Sequence, residues 1–259
     1  MPELPEVETL CRQLRQVILD RRILAFDVID PKIGTLPGII GCRVTSVNRR
    51  GKGLEIGLDS GMALRLHLRM SGKLLWQPVY HLPWPHTRFI LSFEEGRLLC
   101  IDPRRFATLS LHAVSSPGSL PAFPIRKADL PGIKALAEKR RIPVKMFLLD
   151  QTVIAGIGNI YACEILYEAS VNPEQRVCDL SPAQWQCIAD VTEPLLKKAI
   201  RSRGTTVSDW RDLFGQNGEN QHHLKVYDRE GKPCPRCGTS VLRKRIGGRG
   251  TYYCPSCQR

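Results

Sequence analysis

No run in the chain approaches the roughly 18 to 20 apolar residues that cross a bilayer. The start, with Pro2 and Glu3, lacks the basic region and apolar core of a secretory signal. A protein of the cell interior, without membrane attachment, is the expectation. No internal repeat recurs, which removes solenoids and propellers. Acid is in short supply: 25 Asp+Glu stand against 38 Lys+Arg, a net charge of +13. That excess points to a polyanionic partner, nucleic acid first and an anionic membrane surface second, against the plainer reading of a solvated basic surface. The shortage is sharpest from 232 to 259, which holds seven Lys/Arg and no Asp or Glu.

What is present is ordinary globular material. The chain has 259 residues, 42% hydrophobic and 24% charged, enough for one large domain or two smaller ones, each with a core. Residues 3–19 place Val7, Leu10, Leu14, Val17 and Ile18 at helical spacing, with Pro5 suited to a first turn. From about 23 to 112 short alternating runs (ILAFDVID, CRVTSVN, GLEIGL, ALRLHL, RFILSF, RLLCI) separated by turns such as Asp59-Ser60-Gly61 predict an antiparallel sandwich or barrel. Residues 114–132 carry four prolines and read as a linker. Helical patterns follow in IKALAEKRR, VKMFLLDQTVIA, IYACEILYEA and PAQWQCIADVTEPLLKKAIRS. A Gly/Asn/Gln/His-rich loop comes next, around FGQNGENQHH.

Ten cysteines in a reducing compartment are thiols or metal ligands before they are disulfides. Cys234-Pro-Arg-Cys237 and Cys254-Pro-Ser-Cys257 are two CxxC pairs flanking a hairpin pattern with Gly247-Gly248 at its turn. Each pair can grip one face of a tetrahedral Zn²⁺, which predicts a closed, structural site. Four thiolates leave that site net negative, so part of the surrounding charge on Arg236, Arg243, Lys244, Arg245 and Arg249 is expected to face an outside anion. The other six cysteines show no ligand spacing.

At the opposite end, removal of Met1 would make Pro2 a terminal secondary amine. An α-amino group titrates near roughly 7.7–8.0, so part of it is neutral and can attack an aldehyde-level carbon to form an imine. Glu3 and Glu6 stand beside it, near the positive end of the first helix, where a carboxyl can move protons. On their own, Pro at position two and Glu at a helix start read more simply as helix-start chemistry.

The opening MPELPEVET, followed in order by RRGKGL (49–54), LHLRMSGKL (66–74), DPRRFA (102–107), GIGNIYACEIL (156–166) and VYDREGKPCPRCG (226–238), resembles the formamidopyrimidine-DNA glycosylase (Fpg/MutM) family of the Fpg/Nei superfamily. The similarity covers nearly the whole chain. It implies an α+β fold: an N-terminal antiparallel β-sandwich with an N-terminal helix (1–113), a linker (114–131), a helix–two-turn–helix domain (132–228) and a zinc β-ribbon (229–259). It implies a monomer that acts on double-stranded DNA containing oxidised bases or abasic sites, in the cytoplasm of a bacterial-type cell and on the nucleoid through its DNA. One structural Zn²⁺ would be held by Cys234, Cys237, Cys254 and Cys257.

Residue by residue, the resemblance implies that Pro2 is the nucleophile at C1′ and Glu3 the acid/base at the sugar. Glu6 would hold the N-terminal segment. Lys52, Asn159 and Arg249 would bind phosphates, Lys52 and Arg249 as part of the active machinery. A base within a duplex must be extruded before it can react. Phe106 would wedge beside the orphan pair, Met70 would fill the void and Arg104 would bind the orphan cytosine. The implied activity is excision of 8-oxoguanine and formamidopyrimidines, then β,δ-elimination from the imine.

Several positions depart from the family pattern. The GPEPL-type segment is absent, Ala107 stands where Gly is usual, and His86-Thr87 replaces a His-Asp-His run. The loop expected to cap the flipped base, about 204–224, keeps Gly204-Thr205-Thr206 but differs in its second half. Two other readings stay open. One is the sister endonuclease VIII type, which acts on oxidised pyrimidines; PELPEVET and the Met70/Arg104/Phe106 set weigh against it. The other is a DNA-binding zinc-ribbon protein without chemistry, against which stand intact Pro2, Glu3 and Lys52.

Overall fold

The computed structural model describes residues 1–78, 84–114 and 123–259. The elements in chain order are α1 (Leu4–Ile18), β1 (Ala25–Val28), β2 (Val44–Arg50), β3 (Gly53–Leu58), β4 (Met62–His67), β5 (Lys73–Gln77), β6 (Thr87–Phe93), β7 (Gly96–Ile101), β8 (Thr108–Ala113), α2 (Leu130–Ala137), α3 (Val144–Leu148), α4 (Asn159–Glu168), α5 (Pro182–Arg201), β9 (Leu242–Ile246) and β10 (Arg249–Tyr253). They divide into two compact units, Met1–Leu120 with Ser202–Glu219, and Pro121–Arg201 with Asn220–Arg259.

The first unit holds two four-stranded antiparallel sheets, ordered β1-β6-β7-β5 and β2-β3-β4-β8. Between them lies one core to which β6 contributes Phe89, Leu91 and Phe93, β3 contributes Leu54, Ile56 and Leu58, and β4 contributes Leu64 and Leu66. The period-two pleat puts these alternate residues on one face. Some of the intervening residues of β6 and β7 are apolar too, and Ile90, Leu99 and Ile101 form a second buried cluster with Leu75. That double burial explains why Phe89-Ile90-Leu91 and Leu98-Leu99-Cys100-Ile101 run apolar on both faces.

Helix α1 joins the same core through Val7, Leu10, Cys11, Leu14 and Ile18, each fully buried. Each such side chain contributes roughly 1.5–3 kcal/mol, so the helix that carries the chain start is firmly seated. The segment 202–219 also belongs here, through Trp210 and Leu213. The sequence reading grouped this stretch with the helices that precede it.

The loop between β7 and β8 depends on buried charge. Asp102, fully buried, accepts hydrogen bonds from the backbone N–H of Phe106 (2.7 Å) and Ala107 (2.6 Å), from Arg104 N–H (3.2 Å) and from Ser71 Oγ (2.5 Å). Arg88 of β6 reaches Asp102 at 3.4 Å and also pairs with Asp30, while Asp30 takes a two-pronged contact from Arg105 (2.5 and 2.8 Å).

In the second unit, α2 begins inside the stretch read as linker, after a single 3₁₀ turn whose Arg126–Asp129 pair caps it and with Pro131 in its first turn. The remainder of that linker, 115–122, lies outside the described residues. Helix α3 is short: Asp150 turns the chain by accepting the N–H and hydroxyl of Thr152 (3.0 and 2.6 Å). Phe147 meets Trp185 of α5 edge-on, with ring centroids 6.0 Å apart. Strands β9 and β10 pair as a hairpin. None of the helices among the described residues is long and apolar enough to cross a membrane.

Burial pushes the Asp102 carboxyl up, but the hydrogen bonds from Ser71 and the backbone of Ala107, Phe106 and Arg104 outweigh it and leave it below the usual range. The hydrogen bond from Arg105 holds Asp30 lower still. A depressed carboxyl stabilises the fold above the ordinary Asp value of roughly 3.9 and loses that contribution as pH falls through its folded value. Asp102→Asn should therefore cost about 2–4 kcal/mol at pH 7 and less at pH 3. Urea unfolding at the two pH values checks this; an equal loss at both would contradict it.

Candidate active site and nucleic-acid interface

The start of α1 is organised by Glu6. Its Oε2 accepts the N–H of Glu3 at 2.8 Å, part of a capping box that satisfies backbone donors at the helix start. Its Oε1 accepts the N–H of Thr205 at 2.7 Å. One carboxylate thus ties the chain start to the segment 202–219. Gly204 makes the contact possible: its φ is +81°, and a Cβ there would lie 2.7 Å from Glu6 Oε1. Two helical turns on, Gln13 lies on the same face. It donates to Asp212 (2.9 Å) and accepts from Leu213 N–H (2.9 Å), so the segment is held at both ends. Pro2 and Glu3 are buried, and Met1 is half exposed.

Lys52 stands in the two-residue turn between β2 and β3, closed by the Arg50–Gly53 pair, and is buried to 7% exposure. His67, opposite Gly53, lies close enough to feel its charge. Burial first, then Arg69 and Lys52, push the His67 imidazole down to about 4. It is neutral at pH 7, and its Nδ1 accepts the Arg69 N–H at 3.0 Å.

Met70, Arg104 and Phe106 come together on the surface. The Arg104 guanidinium stacks over the Phe106 ring at 4.6 Å and donates toward Met70 Sδ at 3.8 Å. Met70 and Phe106 are 52% and 45% exposed, far too open for core residues of their size. Arg105, between the other two, adopts φ +58° and turns back to Asp30, while Arg104 and Phe106 both point outward.

Asn159 and Arg249 belong to the second unit. Asn159 opens α4, and its amide donates to the Gly250 carbonyl at 2.9 Å, one residue past Arg249. Lys145 of α3, fully buried, donates to the same carbonyl (3.1 Å) and to Thr251 Oγ1 (2.6 Å). The hairpin tip, Gly247-Gly248, has positive φ at both positions, and a Cβ on Gly247 would strike Met146 Sδ at 1.8 Å. Among the basic residues of the ribbon, Arg236 turns inward to Glu168 and the Tyr167 carbonyl, and Lys244 pairs with Glu174. Arg249 is exposed and has no acidic partner among the described residues.

The four cysteine sulfurs lie within 4.8 Å of one another, with Cys234–Cys257 at 3.9 Å and Cys237–Cys254 at 3.4 Å. A tetrahedral ZnS₄ centre with bonds of roughly 2.3 Å has S···S edges of roughly 3.8 Å, so the sulfurs fit that ion. None of the ten cysteines is in a disulfide among the described residues.

Five residues of this machinery went unassigned in the sequence: His67, Asp102, Lys145, Glu164 and Asp212. Glu164 is buried on α4 and accepts the N–H groups of Lys225, Val226 and Tyr227 at 2.8–3.0 Å. All but His67 act on backbone or on distant loops. The one available signal was a charged residue inside an otherwise apolar run, as in VKMFLL and IYACEIL.

Three family models match the chain. Residues 1–109 match the formamidopyrimidine-DNA glycosylase N-terminal domain, 125–210 its H2TH domain, and 231–259 a zinc finger found in FPG and IleRS. With the sulfur cluster, that last match gives the ribbon one structural zinc. The formamidopyrimidine-DNA glycosylase of Pelotomaculum thermopropionicum is 38% identical, with 100% of this chain and 99% of that protein covered. That of Streptococcus pyogenes serotype M18 is 39% identical at the same coverage. Among solved structures, MutM (Fpg) from Thermus thermophilus aligns with a TM-score of 0.88 at 36% identity over 99% of this chain and 98% of that one. Lactococcus lactis Fpg in complex with an abasic-site DNA aligns with a TM-score of 0.89 at 30% identity over 99% of each. The chain belongs to the formamidopyrimidine-DNA glycosylase family.

Proposed function

We propose that this chain is a DNA glycosylase of base excision repair that removes oxidised purines and then cleaves the strand at the resulting abasic site through its N-terminal proline. Full-length relatives carry the glycosylase name. Lactococcus structures hold DNA containing Fapy-dG, an abasic site or an oxidized pyrimidine. The observation that carries the reading is the chain start: a buried Pro2–Glu3 pair fixed by Glu6 to the segment that precedes Trp210.

Chemistry follows from those groups. Once Met1 is removed, the Pro2 nitrogen is a secondary amine that attacks C1′ of the damaged nucleotide, and the C1′–base bond breaks. Glu3 gives a proton to the opening sugar and takes protons afterwards. The resulting iminium makes the C2′ proton acidic. Its loss expels the 3′ phosphate, and a second elimination expels the 5′ phosphate. Lys52, Asn159 and Arg249 bind the strand's phosphates, Asn159 at the start of α4 where helix N–H groups favour anions. Met70, Arg104 and Phe106 occupy the space left by the extruded nucleotide, Phe106 as the apolar wedge. Zinc, held by Cys234, Cys237, Cys254 and Cys257, supplies structure to the hairpin that presents Arg249. The unit boundaries we favour for the full chain are 1–113, 132–228 and 229–259, with 202–219 in service to the first.

Borohydride should trap a covalent complex on an 8-oxoguanine:C duplex with the processed chain. A form that keeps Met1 should trap at least 100-fold less; equal trapping would remove Pro2 from the chemistry. Glu3→Gln should bind the same duplex within about threefold yet lose excision by about 10²–10⁴-fold, read in single-turnover gels. Full excision by this variant would assign the proton transfers elsewhere. Chelation of zinc should weaken DNA binding at least tenfold and open the amides of β9 and β10 to exchange. A verified metal-free sample that binds normally would separate the ribbon from phosphate anchoring.

A further inference from the structure

Met70 and the Arg104–Phe106 pair lie on two loops separated by more than thirty residues of chain. The first, Leu68–Gly72, is closed by Gly72 N–H donating to the Leu68 carbonyl at 3.0 Å. The second is the β7–β8 connection. Asp102 lies at the root of both. One carboxylate oxygen accepts Ser71 Oγ (2.5 Å) from the first loop and Arg104 N–H (3.2 Å) from the second. The other oxygen accepts Phe106 N–H and Ala107 N–H. At the tips, Arg104 touches Met70 Sδ and stacks on Phe106. The two loops are therefore joined twice, at a buried root and at an exposed tip.

We propose that Asp102 is a positioning residue that, through Ser71, makes these two loops a single wedge, so that Met70 and Phe106 enter the duplex together. The inference rests on the reading above that the three exposed side chains fill the space of the extruded nucleotide. Physically, a buried carboxylate with four hydrogen-bond donors from both loops cannot release one loop without leaving charge unsatisfied. Independent insertion of either loop is thereby suppressed. A joined wedge pays the cost of unstacking once, whereas two separate ones would each open the base step.

The test is a double-mutant cycle on the full-length, zinc-loaded protein. The readout is the rate of extrusion, followed by 2-aminopurine placed beside 8-oxoguanine in a duplex. In the native background Met70→Ala and Phe106→Ala should each slow extrusion, and the double variant should be no slower than the worse single, a coupling of about tenfold. In a Ser71→Ala background, which keeps Asp102 and its backbone donors, that coupling should fall to within twofold and the two losses should multiply. Borohydride trapping on a single-stranded abasic site, where no orphan base must be supported, should stay unchanged in Ser71→Ala. Asp102→Asn, where it folds, should repeat the loss of coupling. Coupling of the same size in native and Ser71→Ala backgrounds, or losses that already multiply in the native one, would overturn the proposal while leaving the void-filling role in place. If Met70→Ala and Phe106→Ala leave extrusion unchanged, the void-filling role itself fails and the proposal falls with it.

Discussion

The hydrogen bonds of one buried carboxylate, Glu6, are what the seating of the chain start depends on. A chain terminus is ordinarily the least ordered part of a domain, yet the proposed chemistry requires a terminal nitrogen held to a fraction of an ångström. Helix α1 solves the first half of that problem by burying its apolar face in the sandwich core. Glu6 solves the second half by holding the Glu3 N–H on one oxygen and the Thr205 N–H on the other. The terminus and the segment Ser202–Glu219 are thereby one structure, with Gln13 as a second grip two turns along the helix. Gly204 is the steric condition for this, because no side chain fits against Glu6 at that backbone angle.

The same device recurs across the chain and adds to the basic excess of its surface. Acidic residues are few, and several of them are inside. Glu6, Asp30, Glu55, Asp102, Glu164 and Asp212 are all buried, and they fasten turns or pair with buried and half-buried arginines. Spending acids in the interior leaves Lys and Arg in excess outside, which is what a polyanion-binding surface needs. The ribbon shows the selection in detail. Arg236 and Lys244 are tied to acids, and Arg249 is left exposed on a hairpin braced by Lys145 and Asn159 at Gly250.

Legibility in the sequence followed the range of the interactions. Metal-ligand spacing is local, so the four zinc cysteines could be read directly. The helical period of α1 and the alternation of most strands were equally plain. Two strands, Lys73–Gln77 and Thr108–Ala113, were not read, and Ser71-Gly72, which separates the first of them from β4, was passed over as turn punctuation. The seating of 202–219 on the first unit depends on single contacts between residues about 200 positions apart, which leave no periodic mark. Asp102 escaped notice for a related reason. A carboxylate that serves backbone N–H groups places no demand on partner side chains, so nothing in the sequence answers to it. Pro2, Met70, Arg104 and Phe106 were individually bland and gained meaning only from the family resemblance. The structure adds what that resemblance could not, namely the stacking of Arg104 on Phe106 and the turn of Arg105 toward Asp30.

The most direct check on this account is hydrogen exchange at two amides, Glu3 and Thr205, in native protein and in Glu6→Ala, with single-turnover base excision measured on the same samples. The account predicts that both amides lose protection together in the variant, because the two oxygens of one carboxylate accept them, and that excision falls with them. Retained excision with both amides open, or loss of protection at only one of them, would contradict the claim that this carboxylate fixes the catalytic end.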